Sequence, residues 1–205
     1  KIPGSTGGGR QYVLNRNNTF WNYSRPFWDY QARCAALMRN GKSVADICIY
    51  LGENAPVKLL AYRLPVIPEG YDFDVCTQDA LINRLSAKNG QIVLPDGVCY
   101  KILVLEPKGD LSLIALRKIV KMVREGVTVY GTRPIGSGSL KDAASRREYE
   151  KLVNQLWDNA SIGTKIVGKG KVYWGMTLTQ ALTVNGIKPD AGFTSGNTIT
   201  NKVYF

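Results

Sequence analysis

The sequence predicts an α/β fold, a three-layer sandwich in which helices cover a mostly parallel sheet. Three apolar runs at 44–51, 100–105 and 127–131 carry this prediction, and each ends in a polar turn with Gly or Pro. An amphipathic helix pattern separates the second run from the third. Such a strand–helix–strand unit has parallel strands and a right-handed connection. Because these sheets bind ligands at the carboxyl ends of their strands, turns 52–56, 106–110 and 132–139 are the first candidate sites.

The first half of the chain predicts helices and strands in alternation. Ser24 and Pro26 begin a helix whose apolar residues recur at helical spacing up to Asn40 and Gly41. The first strand follows at 44–51. Three prolines make 56–76 irregular, and Thr77 caps a predicted helix over 78–87. Residues 91–94 and 98–105 then form a hairpin around Pro-Asp-Gly, and its second strand enters the main sheet.

The second half continues the alternation. A helical stripe from Leu113 to Val123 ends at Gly126, and the third strand comes directly after it. A helix over 145–157 leads through a Gly/Lys loop to a further parallel strand at 171–174. The last predicted helix covers 177–185, and 188–205 is a tail without a defined pattern.

Composition limits the class of protein. With 205 residues and 44% apolar content the chain can bury a substantial core. No apolar run approaches 18 residues, so no membrane span is expected. The start, KIPGSTGGGR, lacks the apolar core of a signal peptide and is typical of a flexible leader or of a cut end inside a longer protein.

The net charge of +11 suggests a nucleic-acid partner, but its distribution argues against one. Lys and Arg are scattered along the chain; the densest cluster lies on the predicted third helix, 117–124, and a second small group lies at 165–171. Neither group is interleaved with the aromatic residues that stack on bases. Solvated surfaces are therefore the expectation, and no nucleic-acid partner is predicted. A nucleotide- or nucleic-acid-binding domain stays open as an alternative, favoured if the two groups merge into one patch.

Cysteine and histidine content excludes several chemistries. The four cysteines are far apart in sequence and form no CxxC pair, which argues against a zinc site. Cys48 and Cys99 lie in strand patterns and are expected to be buried thiols. The chain has no histidine, which removes Ser-His-Asp and Cys-His machinery and His-based metal sites. No metal and no cofactor are predicted.

The turns do not carry a recognisable catalytic motif. Residues 163–170 lack the Ser or Thr of a phosphate loop, and IGSGS at 135–139 lacks the third glycine of a dinucleotide site. Glu106 follows the second strand where a glutamine amidotransferase needs Cys. The carboxylates Asp46, Glu53, Asp72 and Asp74 do not form a matched acid and base, and Asp46 is expected to be buried with a backbone or Arg partner.

The aromatic segment before the first helix is the better candidate for ligand contact. Five aromatic residues stand close together beside three asparagines; they are Phe20, Trp21, Tyr23, Phe27 and Trp28, with Asn15, Asn17 and Asn18. Aromatic faces and amide groups together suit sugars. The alternative is that these rings anchor the following helix to the domain.

Four stretches of this chain resemble glycoside hydrolase family 106, the α-L-rhamnosidase-like enzymes. They are NRNNTFWNYSRPFWDYQARCAALMRNGKSVADICIYLGENAP at 15–56, PEGYDFDVCTQDAL at 68–81, GQIVLPDGVCYKILVLEP at 90–107 and GKGKVYWGMTL at 168–178. The family's usual His before the Asn-Arg of the first stretch is replaced here by Val13-Leu14. No catalytic residue is carried over, because the resemblance places the catalytic carboxylates on an upstream (β/α)₈ barrel.

The resemblance implies a domain plan. Residues 1–42 would be a leader, the aromatic loop and a helix like the end of the barrel. Residues 43–187 would be an accessory α/β domain, flavodoxin-like or class I glutamine amidotransferase-like without the amidotransferase active site. Residues 188–205 would be a tail leading towards a following domain. Asn18 and Trp21 match the barrel-end loop and are the expected sugar contacts.

The expected role is that of a non-catalytic accessory domain of a secreted or periplasmic rhamnosidase-like glycoside hydrolase, inactive alone. Its expected partners are the catalytic barrel of the same polypeptide, a carbohydrate, and a second copy docked through the exposed barrel-facing surface. An independent carbohydrate-binding module is the alternative, favoured if the exposed aromatic rings form a flat platform.

Overall fold

The computed structural model describes residues 19–53, 65–107, 109–190, 194–195 and 198–199. The chain divides into two compact units, Lys1–Ser43 and Val44–Phe205. In the first unit, a short 3-10 helix, Trp21–Tyr23, precedes helix α1, Arg25–Asn40. Ser24 joins the two, since its hydroxyl donates to the Trp21 carbonyl (2.7 Å) and accepts from the Trp28 indole (3.0 Å). The predicted first helix is therefore confirmed.

The second unit contains eleven strands within the described ranges. They are β1 (Ile47–Tyr50), β2 (Phe73–Cys76), β3 (Ser86–Lys88), β4 (Gln91–Val93), β5 (Cys99–Tyr100), β6 (Ile102–Leu105), β7 (Thr128–Tyr130), β8 (Gly163–Val167), β9 (Gly170–Trp174), β10 (Thr194–Ser195) and β11 (Thr198–Ile199).

Six of these strands form the main sheet in the order β2-β1-β6-β7-β9-β8. All neighbours are parallel except β8, which runs antiparallel to β9. The three apolar runs of the sequence are thus the adjacent strands β1, β6 and β7, which confirms the mostly parallel sheet. Strands β3, β4 and β5 form a small antiparallel sheet, and β10 pairs with β11.

Four helices accompany the sheet in the described part of this unit: α2 (Gln78–Asn83), α3 (Leu113–Arg124), α4 (Arg146–Leu156) and α5 (Leu178–Val184), with a 3-10 helix at Leu140–Ser145. Thr77, Ser112 and Thr177 accept backbone N–H groups at the starts of α2, α3 and α5. Each satisfies a donor that the first helical turn leaves unpaired.

Both faces of the sheet are buried. Cys48 and Tyr50 point to one face and Ile47 and Ile49 to the other, because side chains alternate along a strand. The first face packs against α2, α3 and α4, and the second against α5. Helical layers on both sides of one sheet are consistent with a three-layer sandwich.

Four local predictions were wrong. Residues 73–76 form strand β2 instead of irregular chain. This strand was not predicted because its partner strand, β1, is distant in sequence. Helix α2 ends at Asn83, since 86–88 pair with 91–93. The Gly/Lys loop contains the edge strand β8, which pairs with β9. Cys99 is exposed, whereas Cys76 is buried with Cys48, and a hydrogen bond between the Cys48 and Cys76 thiols, followed by burial, raises the pKa of the Cys48 thiol.

Candidate functional site

The sheet order defines one crevice where a ligand is expected. From β1 the chain moves to β2 on one side, while β6 lies on the other, so the order reverses between β1 and β6. Doubly wound sheets bind ligands outside the carboxyl ends of the strands at such a reversal. The described residues of two turns predicted from the sequence lie here, 52–53 after β1 and 106–107 with 109–110 after β6.

Glu53 braces this crevice from inside the protein. Its Oε1 accepts hydrogen bonds from the Tyr50 hydroxyl (2.8 Å), the Ser112 amide (2.9 Å) and the Ser112 hydroxyl (2.9 Å). The Ser112 hydroxyl in turn accepts from the Gln78 side chain (2.9 Å). Ser112 is buried, and burial and Glu53 raise the pKa of Tyr50. The carboxylate therefore ties β1 to the starts of α2 and α3.

Glu106, which follows β6, lies close to Gly52, which follows β1. Its Oε2 lies 2.9 Å from the position that a Cβ atom would occupy on Gly52, which has a φ of +74°. A side chain at position 52 would meet both that oxygen and an unfavourable backbone conformation. The Glu106 carboxyl group thus packs closely against Gly52, in the turn after β1.

A groove lies beside the crevice, between the loop 131–139 that follows β7 and helix α4. Its volume is about 750 Å³, and its lining includes Arg133, Ser137, Asp142, Tyr149 and Asn154. The Tyr149 hydroxyl donates to the Gly136 carbonyl (2.7 Å), and Arg133 donates to Asn154 Oδ1 (2.7 Å). These bonds hold the loop against α4.

Two ionisable groups of the groove, Asp142 and Tyr149, are stabilised in their ordinary charge states. The Ser137 hydroxyl and the Leu113 amide donate to Asp142 Oδ2 and lower the pKa of that carboxyl. Burial, followed by the charges of Asp110, Glu53 and Asp142, raises the pKa of Tyr149 to about 12. A general acid in glycoside hydrolysis needs a carboxyl with a raised pKa, which is the opposite of the shift at Asp142.

The other carboxylates named from the sequence have structural partners. Asp46 is buried and forms an ion pair with Lys101 Nζ (2.9 Å), so the partner is Lys instead of the backbone or Arg partner expected. Asp72 accepts from the Phe73 amide (2.8 Å), and Asp74 accepts from the Tyr100 hydroxyl (3.0 Å). These contacts leave Asp72 and Asp74 as local braces of the β2 region.

Of the two predicted sugar contacts, Trp21 is described and Asn18 lies outside the described residues. The Trp21 and Trp28 rings meet edge to face, with centroids 6.5 Å apart and planes at 61°. Phe27 and Trp28 are also edge to face, at 5.2 Å and 72°. Both tryptophans keep more than a third of their surface exposed. These three rings are therefore accessible, but they do not form the flat platform that a sugar-binding module presents.

The two basic groups of the sequence meet at the opposite edge of the sheet. The Lys169 amide donates to the Arg124 carbonyl (3.1 Å), which brings the turn between β8 and β9 onto the end of α3. Part of the charge is paired: Arg117 makes two bonds to Glu148 and Lys165 binds Asp158. The two groups therefore adjoin at Arg124 and Lys169, whereas Arg117 and Lys165 have acidic partners.

Three residues near the carboxyl ends of the strands were not predicted from the sequence as part of the site. Ser112 had a readable signal, since Ser directly before the helical stripe at 113–123 is a typical helix cap. Tyr149 and Asp142 had none, because their partners come from the separate loop 131–139 and from α3.

Two properties of the described residues concern membrane spans and metal sites. None of the helices in the described ranges is long and apolar enough to cross a membrane. In the same part of the chain, no group of three or more Cys, Asp or Glu side chains is placed to hold a metal ion.

Three comparisons with known proteins each find similarity to glycosidases. The profile of a family described as alpha-L-rhamnosidase matches residues 1–205. A Formosa agariphila protein named "Putative beta-glucuronidase" is 36% identical over 146 residues, which are 70% of this chain and 12% of that protein. The structure of a rhamnosidase from Novosphingobium sp. PP1Y superposes with a TM-score of 0.76 at 30% identity, over 91% of this chain and 18% of that one. The chain thus spans less than a fifth of either protein.

Proposed function

Since this chain belongs to the alpha-L-rhamnosidase family, glycoside hydrolase family 106, we propose that it is a non-catalytic accessory part of a rhamnosidase-like glycoside hydrolase. One observation carries the proposal: the superposition includes 91% of this chain but only 18% of the solved rhamnosidase. A segment of that size leaves most of the relative for a separate catalytic domain.

The contacts of the carboxylates near the carboxyl ends of the strands support a structural role. Glycoside hydrolysis needs two carboxyl groups flanking a sugar-sized space. Here Glu53 is committed to Tyr50 and Ser112, and Asp142 to Ser137 and a backbone amide. Glu106 packs closely against Gly52. The proposed activity therefore resides outside these residues, and the chain alone is inactive.

The finer fold assignment is part of the proposal. A parallel sheet whose order reverses between β1 and β6 supports a flavodoxin-like or class I glutamine amidotransferase-like domain at 43–187. Glu106 stands where the amidotransferase needs its nucleophilic Cys, so that active site is missing. Residues 1–42 and 188–205 are proposed as connections to the preceding barrel and to a following domain.

The proposed partner is the catalytic barrel of the same polypeptide. Helix α1 has no buried residue, although Tyr30, Leu37 and Met38 lie on it and are exposed. Burying such side chains against another domain would stabilise both. Asn18 and Trp21 would then lie near the sugar, and the isolated chain would pair with a second copy through the same face. The family supports an extracellular or periplasmic location.

The edge-to-face rings of Trp21, Phe27 and Trp28 favour packing over an independent carbohydrate-binding module.

Hydrolysis of an aryl α-L-rhamnoside tests the proposal. The purified 205-residue chain should show no turnover above buffer, whereas the full-length gene product should hydrolyse the substrate. Turnover by the 205-residue chain that is abolished by Trp21→Ala or Asp74→Asn would overturn the non-catalytic role.

A further inference from the structure

Four exposed cations gather at the amino-terminal edge of the main sheet, on the side away from the crevice. Lys121 and Arg124 lie on the last turn of α3, Lys169 in the turn between β8 and β9, and Lys88 at the end of β3. We call these four residues the basic edge. They come from three separate elements, so their proximity is a property of the fold.

Close backbone contacts assemble the basic edge. The Lys169 amide donates to the Arg124 carbonyl at 3.1 Å. A Cβ atom on Gly168 would lie 2.6 Å from that same carbonyl oxygen, so the turn presses directly on the end of α3. A Cβ on Gly126 would lie 3.2 Å from the Cα of Gly90, which brings the turn after Lys88 to the same place.

The positive charge of the basic edge is weakly compensated. Glu125 lies 4.0 Å from Lys121, and both side chains are largely exposed, which makes the pair worth little. Arg124 donates to the amide oxygen of Gln155, a neutral group that leaves the guanidinium charge in place. Burial, and then the charge of Lys121, lower the pKa of neighbouring Lys118, as expected where like charges lie close.

Helix-end stabilisation accounts for only part of the cluster. Cations in the last turn of a helix interact favourably with its dipole, which explains Lys121 and Arg124. Lys88 lies in β3 and Lys169 in the turn between β8 and β9, so neither is a last-turn residue of α3 and this dipole interaction does not explain them. The chain as a whole carries +11, so the rest of the molecule does not neutralise the edge.

We infer that the basic edge binds an acidic polysaccharide, a glycan chain bearing carboxylate or sulfate groups. The segments that form it, 86–91, 118–126 and 166–171, contain no aromatic residue. Single-stranded nucleic acids are held by base stacking as well as by charge, so this surface fits a polyanion that needs charge alone. The inference rests on the proposed function in one respect: a glycoside hydrolase meets its polyanions as glycans.

Titration of the 205-residue chain with polygalacturonate, followed by calorimetry, tests the inference. Three to four ionic contacts predict a weakening of about 15- to 50-fold when salt rises about fourfold, if each contact contributes as for a single-stranded polyanion. The double variant Lys121→Glu/Lys169→Glu should lose at least tenfold in affinity at low salt. The control Lys141→Glu/Arg147→Glu changes the net charge equally at exposed positions beside the groove, and should keep most of the binding.

Three results would overturn the inference. They are an absence of binding at low salt, an equal loss in both double variants, and tighter binding of oligo-dT than of polygalacturonate at the same salt. Neutral dextran should not bind. Melting temperatures of the two double variants confirm that each is folded. Because none of these readouts is turnover, failure here leaves the proposed accessory role standing, and rhamnosidase activity of the isolated chain would leave this result unchanged.

Discussion

Replacing Glu53 by Ala tests whether the crevice between β1 and β6 is a structural brace. The substitution removes one carboxylate oxygen that accepts three hydrogen bonds, from Tyr50 and twice from Ser112. Tyr50 is fully buried and Ser112 is 4% exposed, so the stranded donors cannot recover these bonds from water. An unsatisfied buried group costs roughly 1–3 kcal/mol, and more when its partner was charged.

From these contacts we expect Glu53→Ala to lower the free energy of unfolding by about 3 kcal/mol. For a domain of this size that corresponds to a fall of about 6 to 12 °C in melting temperature, measured by calorimetry on the 205-residue chain. Glu53→Gln keeps an acceptor oxygen and should lose about 1 kcal/mol. Glu150→Ala is the matched control, because Glu150 forms an exposed helical pair with Arg146 and its loss should cost less than about 0.5 kcal/mol.

A melting temperature for Glu53→Ala within the range of the Glu150→Ala control would refute the reasoning. It would mean that Tyr50 and Ser112 find other partners, and that the carboxylate is free for another purpose.

Three further predictions follow from single positions. Asp142 has a lowered pKa, so its stabilising contribution is present above the ordinary value of 3.8 and is lost as pH falls through the lower folded value; Asp142→Asn should flatten the acid limb of a pH–melting curve, and an unchanged limb would contradict this. Gly168→Ala should lower the free energy of unfolding by about 2 kcal/mol or more, since Gly168 has a φ of +63° and its Cβ position lies 2.6 Å from the Arg124 carbonyl oxygen. Gly136→Ala, with no atom within 4 Å of its Cβ position, should stay within about 1 kcal/mol of wild type, and equal melting curves for the two variants would contradict the close approach at Gly168. In the full-length protein, Trp21→Ala should raise KM for a rhamnosyl oligosaccharide more than Tyr23→Ala does, and identical KM values would remove Trp21 from the sugar site.

The core of the fold could be predicted because its signals are local. Strands β1 and β6 are apolar runs buried on both faces, and β7 is buried at Val129. Helix α3 shows an uninterrupted helical stripe that Ser112 caps. Hydrophobic periodicity and capping are readable within about a dozen residues. The same holds for α5, where Thr177 and Gln180 form a capping box.

The missed elements depend on distant partners. Strand β2 is only partly buried and gains its identity by pairing with β1, more than twenty residues earlier. Edge strand β8 alternates exposed and half-buried residues around Lys165, which resembled a polar loop. Neither segment has a strong signal until the neighbouring strand is in place.

The candidate site shows the same limit. The sequence predicts the turns after β1 and β6 as candidate ligand sites, but their chemistry depends on which donors face each carboxylate. The bonds from Ser112 to Glu53 and from Leu113 to Asp142 join residues 59 and 29 positions apart. Sequence alone could not show that these carboxylates are committed to the fold.

The central claim is that this chain supplies no catalytic group, and an amide scan of the full-length protein tests it most directly. Glu53, Glu106, Asp110 and Asp142 are each replaced by the corresponding amide, and kcat for an aryl α-L-rhamnoside is measured at a temperature where every variant is folded. We expect kcat within about threefold of wild type for all four variants, because loss of a general acid or base lowers the rate about 10²- to 10⁴-fold. A fall of about a hundredfold or more in any folded variant would contradict it.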